Sequence, residues 1–117
     1  MIASRMKISF VTIALNEEQR ISAFLKSLWN QSKKPDEIIF VDNGSKDKTV
    51  QKVEASGLKA RILVKSGIPI AGARNFGIKR AKNDIIAMAD SDFVLHKDWL
   101  EKKIKKADSL LRENKSS

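Results

Sequence analysis

Short apolar runs, each bounded by polar or turn-forming residues, recur along this chain. Their lengths and their content of β-branched and aromatic residues are typical of β-strands. The runs that predict strands span residues 7–14, 37–41, 61–64 and 84–89. The second run, Glu-Ile-Ile-Phe-Val, is uninterrupted, as expected of a strand in a parallel sheet that is covered on both faces.

Between these runs, apolar residues recur at helical spacing. In the first such segment, which begins at Glu17, one helical face carries Ile21, Phe24, Leu25, Leu28 and Trp29. This pattern predicts that Trp29 is buried in the core, and we expect Phe76 and Phe93 to be buried as well. Further helices are predicted over about residues 47–55, 70–81 and 97–113.

The alternation of strands and helices at these lengths predicts right-handed β-α-β units. The expected fold class is α/β, with three layers (α/β/α) and a mostly parallel, Rossmann-like sheet of about four strands. A chain of 117 residues is long enough for one core and too short for a second lobe. We therefore expect a single domain over residues 1–117.

Composition narrows the class of protein. The chain has no cysteine, which excludes a disulfide scaffold and a cysteine-ligated metal centre. No apolar run approaches the roughly 18 residues of a membrane-spanning helix, and we expect a cytoplasmic protein. With 23 Lys plus Arg against 14 Asp plus Glu, the net charge is +9, which favours an anionic partner. Nucleic acid, an anionic membrane and a phosphorylated small molecule all meet that description.

Polar clusters follow three of the predicted strands. They are Asn16-Glu17-Glu18, Asp42-Asn43-Gly44-Ser45 and Asp90-Ser91-Asp92. Ligands of open parallel sheets bind at the carboxyl ends of the strands, so these clusters are expected to share one rim. Asp90 and Asp92 suit Mg²⁺ or Mn²⁺, which prefer oxygen ligands and take one or two protein carboxylates. The alternative is that both are solvated or capping acids.

The helix predicted over residues 70–81 contains two glycines. Gly72 and Gly77 each cost roughly 1 kcal/mol relative to alanine in a helix interior. Either this helix packs closely on the sheet, or a ligand approaches it while Arg74 contacts a phosphate group. In the second case we expect Arg74 to lie near Asp90 and Asp92.

Four segments together resemble the nucleotide-binding half of family-two glycosyltransferases, which have the GT-A fold. The segments span residues 12–18, 41–47, 73–78 and 89–92, in the order and at the spacing of that family. The last of them contains the Asp-x-Asp motif. Two positions depart from the family pattern, because Ile13 replaces a frequent proline and Leu15 replaces a frequent aromatic residue.

This resemblance implies a transferase that moves a sugar from a nucleoside diphosphate to an acceptor, usually with inversion and with Mg²⁺ or Mn²⁺. Glu17 and Asp42 would contact the base and ribose of the donor, and Arg74 would lie near the base or the diphosphate. The donor-binding residues that it implies are Asn16, Glu17, Asp42, Asn43, Gly44, Arg74 and Asp90. The metal ligands that it implies are Asp92 and Asp90.

Members of this family normally continue beyond the Asp-x-Asp strand into an acceptor-binding half that supplies the catalytic base. We therefore expect the chain to be a donor-binding half, with the acceptor half absent and the catalytic residue unknown. The acceptor is unknown, either a saccharide or a lipid-linked molecule. The alternative is a non-catalytic nucleotide-binding module, or a self-assembling one that forms a homo-oligomer.

Lysines crowd the last predicted helix. They are Lys97, Lys102, Lys103, Lys105 and Lys106. They form either a solvated surface or a peripheral contact with the anionic inner face of a membrane. Nucleic acid is the weaker partner, because the acidic rim would repel phosphate without a metal. His96 is interpreted as a helix cap or a solvated side chain, with a metal or phosphate role as the alternative.

Overall fold

Strands and helices alternate along the chain in the computed structural model, which describes the backbone of residues 6–116 and the side chains of residues 6–110. The strands are β1 (Ile8–Ala14), β2 (Glu37–Asp42), β3 (Arg61–Val64) and β4 (Ile85–Met88). The helices are α1 (Ile21–Trp29), α2 (Thr49–Ala55), α3 (Ile70–Arg80) and α4 (Trp99–Ser116). These elements confirm the predicted α/β class.

The sheet is wholly parallel, and its strand order is β3-β2-β1-β4. Phe10 of β1 lies opposite Ile38 of β2 on one side and Ala87 of β4 on the other. The chain runs from β1 through β2 to β3, and then crosses back to place β4 on the other side of β1. This reversal of strand order creates a crevice beside the carboxyl ends of β1 and β4, the usual ligand position in open α/β sheets.

Helices cover both faces of the sheet. Successive residues of a strand point to opposite faces. Phe10 therefore packs on one face with Phe24 of α1, whereas Val11 packs on the opposite face with Ala73 of α3. All four of these side chains are fully buried. The two helical layers on either side of the sheet confirm the predicted three-layer architecture.

Gly77 brings α3 close to the sheet. A Cβ atom at this position would lie 2.7 Å from Cγ1 of Val11 and 3.0 Å from Cγ2 of Val41, closer than side chains pack. At Gly72 the nearest such atom is Cδ1 of Ile68 at 3.5 Å, which is ordinary contact. Close packing of helix on sheet therefore explains Gly77 and does not explain Gly72.

The helix α1 begins at Ile21, whereas the sequence predicted a start at Glu17. Residues 17–20 form turns, in which the N–H groups of Arg20 and Ile21 donate to the Glu17 carbonyl oxygen (3.0 and 2.8 Å). The N–H of Glu17 donates to the side chain of Thr49, the first residue of α2, and the N–H of Glu18 donates to the side chain of Asp47 in the loop after β2. Contacts distant in sequence thus override the local helical signal.

Two predicted core aromatics are exposed. Trp29 is 56% exposed, and Phe93 is 58% exposed. Trp29 is the last residue of α1, where the Lys34 ammonium group lies 5.8 Å from the centroid of its ring. Phe93 lies in the loop after β4 rather than on a helix or strand. Phe76, the third predicted core aromatic, is partly buried and packs against the cluster that contains Val11.

The helix α4 is amphipathic, as its periodicity predicted, and Leu100 and Ile104 bury its apolar face against Ile8. It begins at Trp99, whose N–H donates to the His96 carbonyl oxygen (3.0 Å), and Nδ1 of His96 accepts the N–H of Asp98 (3.4 Å), so His96 lies in the turn just before the helix. In the described part of the chain, no helix has both the length and the apolar character needed to cross a membrane.

Glu37 joins three elements at the amino ends of the strands. Its Oε1 accepts the hydroxyl of Ser9 (2.7 Å) and the N–H of Lys82 (2.8 Å), and Nη1 of Arg61 lies 3.3 Å from its Oε2. Burial raises the pKa of Glu37, but these three partners outweigh it and hold the pKa below the ordinary value of 4.5. The charged form is therefore the one that the fold stabilises.

The free energy of unfolding is expected to fall as the pH drops through the lowered pKa of Glu37, below the ordinary value of 4.5. The contribution of this carboxylate is fully present above that ordinary value, because the unfolded chain is then also ionised. A Glu37→Gln variant is expected to lose this pH dependence, which urea unfolding at a series of acidic pH values measures. Glu54→Gln, at an exposed position of α2, is the control, and an equal change in both variants would contradict the assignment.

Candidate functional site

Two loops meet at the carboxyl ends of β1 and β2. Asn16 has a left-handed backbone with a φ of +54°, and its N–H donates to the hydroxyl oxygen of Ser45 (2.8 Å). The side-chain oxygen of Asn16 accepts the N–H of Lys46 in return (2.8 Å). A left-handed residue other than glycine costs roughly 1–2 kcal/mol, and this pair of hydrogen bonds offsets the cost. Asn16 thus fixes the two loops relative to each other.

Three further hydrogen bonds join the loop after β1 to the segment that ends the loop after β2 and begins α2. The N–H of Glu17 donates to Oγ1 of Thr49 (2.9 Å), and the N–H of Glu18 donates to Oδ2 of Asp47 (3.1 Å). The N–H of Lys48 donates to Oε1 of Glu18 (2.8 Å). The Thr49 hydroxyl, helped by the N–H groups of Thr49 and Glu18, lowers the pKa of Asp47 below its usual range. The sequence analysis missed Thr49, although the Asp-x-Thr spacing is a local signal.

Asp42 ends β2 with a side chain that is only 1% exposed. Its Oδ2 accepts the N–H groups of Gly44 (3.1 Å) and Ser45 (2.8 Å). Its Oδ1 is buried and accepts no hydrogen bond from any described residue. Burying a carboxylate oxygen without a partner is costly, so this atom is available to a ligand that brings an N–H group.

The turn after Asp42 is closely packed. The N–H of Asn43 donates to the Ala14 carbonyl oxygen (2.9 Å), and Oδ1 of Asn43 is a second buried acceptor without a partner among the described residues. Gly44 has a φ of +101°, and a Cβ atom there would lie 3.1 Å from the Ser66 hydroxyl oxygen. The positive φ therefore favours glycine at this turn, and a Cβ atom would also contact Ser66 closely.

The loop after β4 is held against the end of β1. The Thr12 hydroxyl donates to the Ala89 carbonyl oxygen (2.7 Å), and the Ser91 hydroxyl donates to the Ile13 carbonyl oxygen (3.0 Å). These bonds fix the backbone within and just before the Asp-x-Asp motif. The motif therefore lies at the crevice where the strand order reverses.

An arginine accompanies each acid of that motif. Nη2 of Arg74 lies 3.7 Å from Oδ1 of Asp90, which confirms the predicted proximity for Asp90, whereas the arginine beside Asp92 is Arg20. Nη1 of Arg20 lies 3.7 Å from Oδ2 of Asp92 and 3.8 Å from Oε2 of Glu17. Arg20 was missed because the sequence pattern assigns it to the solvated face of a helix. It links the loop after β1 to the loop after β4.

Asp90 and Asp92 are the carboxylates of this loop that would hold a divalent cation. Among the described residues, no three His, Cys, Asp or Glu side chains cluster closely enough to hold a metal ion by themselves. Mg²⁺ and Mn²⁺ need no such cage, because they take one or two carboxylates and complete their shell with water and phosphate oxygens. Asp90 and Asp92, which are 61% and 38% exposed, present carboxylates suited to that mode.

The chain is similar to known proteins over most of its length. A family model described as glycosyl transferase family 2 matches residues 9–111. An uncharacterized glycosyltransferase of Rickettsia bellii is 38% identical over 92 residues, which cover 79% of this chain and 30% of that protein. The chain spans only 26% to 40% of the lengths of three curated glycosyltransferases that it matches.

Solved structures share the fold. Staphylococcus aureus TarS in complex with UDP has a TM-score of 0.71 and 29% identity, covering 89% of this chain and 32% of that one. Glucosyl-3-phosphoglycerate synthase from Mycobacterium tuberculosis in complex with UDP has a TM-score of 0.65 and 30% identity, covering 80% of this chain and 36% of that one. With the family model matching most of its residues, the chain belongs to glycosyl transferase family 2.

Proposed function

We propose that this chain binds a nucleoside-diphosphate sugar together with Mg²⁺ or Mn²⁺, as the donor-binding part of a glycosyltransferase. Transfer of the sugar to the acceptor would proceed with inversion. The donor would lie in the crevice at the carboxyl ends of the strands, where open α/β sheets bind their ligands.

The single observation that carries the proposal is Asp42. A carboxylate that is 1% exposed keeps one oxygen without a partner among the described residues, at the edge of the sheet where ligands bind. An N–H group on the nucleobase would satisfy that oxygen. Uracil, thymine and guanine carry such a ring N–H, whereas the corresponding nitrogen of cytosine is an acceptor. UDP is the favoured nucleotide, because two structural relatives were solved with it.

The other residues act on the sugar and the diphosphate. Asn16, Glu17 and Gly44 would shape the ribose side of the site, since hydrogen bonds and a closely packed glycine fix their loops. Asp92 and Asp90 would hold the cation. When bound, the cation neutralises the charge of the departing diphosphate. Arg74 would contact phosphate oxygens, which its planar guanidinium group matches.

The test is a calorimetric titration of the chain with UDP, GDP, dTDP and CDP, with and without Mn²⁺. We expect UDP to bind in a metal-dependent manner, and an Asp92→Ala variant to bind it at least about tenfold more weakly, since a charged ligand contact is lost. Asp98→Ala, which removes another partly exposed carboxylate, is the control and should leave binding unchanged.

Two outcomes would contradict the proposal. If UDP binds equally tightly with and without Mn²⁺, the proposed metal site is contradicted. Absence of binding for all four diphosphates would contradict the proposed donor site. It would favour the self-assembling module, and sedimentation would then detect a dimer or a larger oligomer.

A further inference from the structure

Arg20 occupies a position that its own helix disfavours. It is the N-cap residue of α1, where Ser, Thr, Asp and Asn are preferred because their side chains accept the free N–H groups of the first turn. Arg20 makes no such cap, and the first turn of α1 carries no acidic residue. The helix dipole also repels a cation at this end. A residue that breaks a local rule in this way is expected to be stabilised by contacts elsewhere.

Contacts with two acids stabilise Arg20 at this position. Its Nη1 lies 3.7 Å from Oδ2 of Asp92 and 3.8 Å from Oε2 of Glu17. Glu17 follows β1 and Asp92 follows β4, so carboxylates of two different loops share one guanidinium nitrogen. The positive charge beside Asp92 therefore comes from the chain itself.

Arg20 and a divalent cation would compete for Asp92. The Coulomb energy scales with the product of the charges, so the guanidinium group repels a divalent cation twice as strongly as a monovalent one at the same distance. The side chain of Arg20 is 64% exposed, and an exposed ion pair is weak. Arg20 therefore weakens cation binding at Asp92 without blocking it.

The geometry points to Arg20 as an internal counter-ion of Asp92, which disfavours a bare divalent cation and admits one together with a diphosphate. The negative charges of the diphosphate offset both the cation and the guanidinium group. Arg20 thus makes the binding of cation and nucleotide cooperative. The nucleotide side of this inference rests on the proposed function, whereas the effect of Arg20 on the bare cation does not.

The first measurement titrates Mn²⁺ alone into the full chain, and the electron paramagnetic resonance signal of the free hydrated ion reports how much is bound. We expect Arg20→Gln to bind Mn²⁺ about three- to tenfold more tightly than the unaltered chain, because the repulsion and the competing ion pair are both removed. Arg20→Lys keeps the charge and should stay close to the unaltered chain.

Two further variants locate the effect. Arg61→Gln removes a charge at the amino end of β3, where Arg61 is paired with Glu37, and it should leave Mn²⁺ binding unchanged. The double variant Arg20→Gln with Asp92→Ala should lose the gain of the single variant, because the carboxylate that the cation would occupy is gone.

The second measurement repeats the Mn²⁺ titration with UDP present. The factor by which UDP tightens Mn²⁺ binding is the coupling between the two ligands, and Mn²⁺ must tighten UDP binding by the same factor. We expect this factor to be about three- to tenfold smaller in Arg20→Gln, because only binding of the bare cation improves. A variant that merely loosens the site would bind Mn²⁺ more weakly in both titrations.

Four results would overturn the inference. They are an equal Mn²⁺ affinity of Arg20→Gln and the unaltered chain, undetectable binding to both included; a gain that persists in the double variant; an equal gain in Arg61→Gln; and an equal gain with and without UDP. If Arg20→Gln binds Mn²⁺ more tightly and no variant binds a diphosphate, the proposed function fails, whereas the competition between Arg20 and the cation is supported.

Discussion

Replacing Gly77 with alanine is expected to lower the free energy of unfolding by about 1–3 kcal/mol, even though alanine is the better helix former. The added methyl group would lie 2.7 Å from Val11 and 3.0 Å from Val41, two fully buried residues on adjacent strands. Neither valine is free to move, because both are enclosed in the core beneath α3. The helix must therefore shift away from the sheet. Guanidinium unfolding of the variant measures the change.

Gly72→Ala is the matched control, since it lies in the same helix and its nearest neighbour is a flexible side-chain atom of Ile68 at 3.5 Å. Here we expect no loss, and a gain of up to about 1 kcal/mol from helix propensity. A double variant, Gly77→Ala with Val11→Ala, should be less destabilised than the sum of the two single changes, because the second change makes room for the first. Equal effects of the two glycine substitutions would contradict the packing argument.

The fold was predictable because its strands are buried. β1 and β2 lie at the centre of the sheet, so their residues face helices on both sides and appear in the sequence as nearly continuous apolar runs. The strand β3 was predicted to the residue, β1 and β2 each differ by one residue at one end, and β4 differs by one residue at both ends. Burial on both faces produces an apolar run within a few consecutive residues. The hydrophobic pattern of the sequence is therefore enough to predict these strands.

The errors arise where distant residues decide local structure. Glu17 has a helical context in the sequence, but its N–H donates to Thr49, and no local rule reports a contact across 32 positions. Trp29 continues an apolar helical face, yet α1 ends there and leaves it exposed. Arg20 reaches Asp92 only because β4 returns beside β1. The acids of the site could be predicted because they directly follow strands. The residues that contact them could not, because those contacts depend on the order of the strands in the sheet.

Asp42→Asn is expected to weaken the binding of UDP by about ten- to a hundredfold, which corresponds to about 1.4–2.8 kcal/mol. The N–H groups of Gly44 and Ser45 will keep the amide oxygen in the place of Oδ2, because only an acceptor satisfies them. The amide nitrogen is then forced into the place of Oδ1. A donor replaces an acceptor at that atom, and it faces the ring N–H of uracil without a hydrogen bond.

The same substitution should improve the relative binding of CDP, since the ring nitrogen of cytosine accepts a hydrogen bond from the new amide. Calorimetric titration of both nucleotides with Mn²⁺ therefore gives a change in preference, which a merely destabilised protein would not produce. Asp84→Asn, at an exposed position before β4 and at the opposite end of the sheet, controls for the loss of one charge. Unchanged UDP affinity in Asp42→Asn would mean that the base lies elsewhere, and that the buried oxygen of Asp42 serves the fold alone.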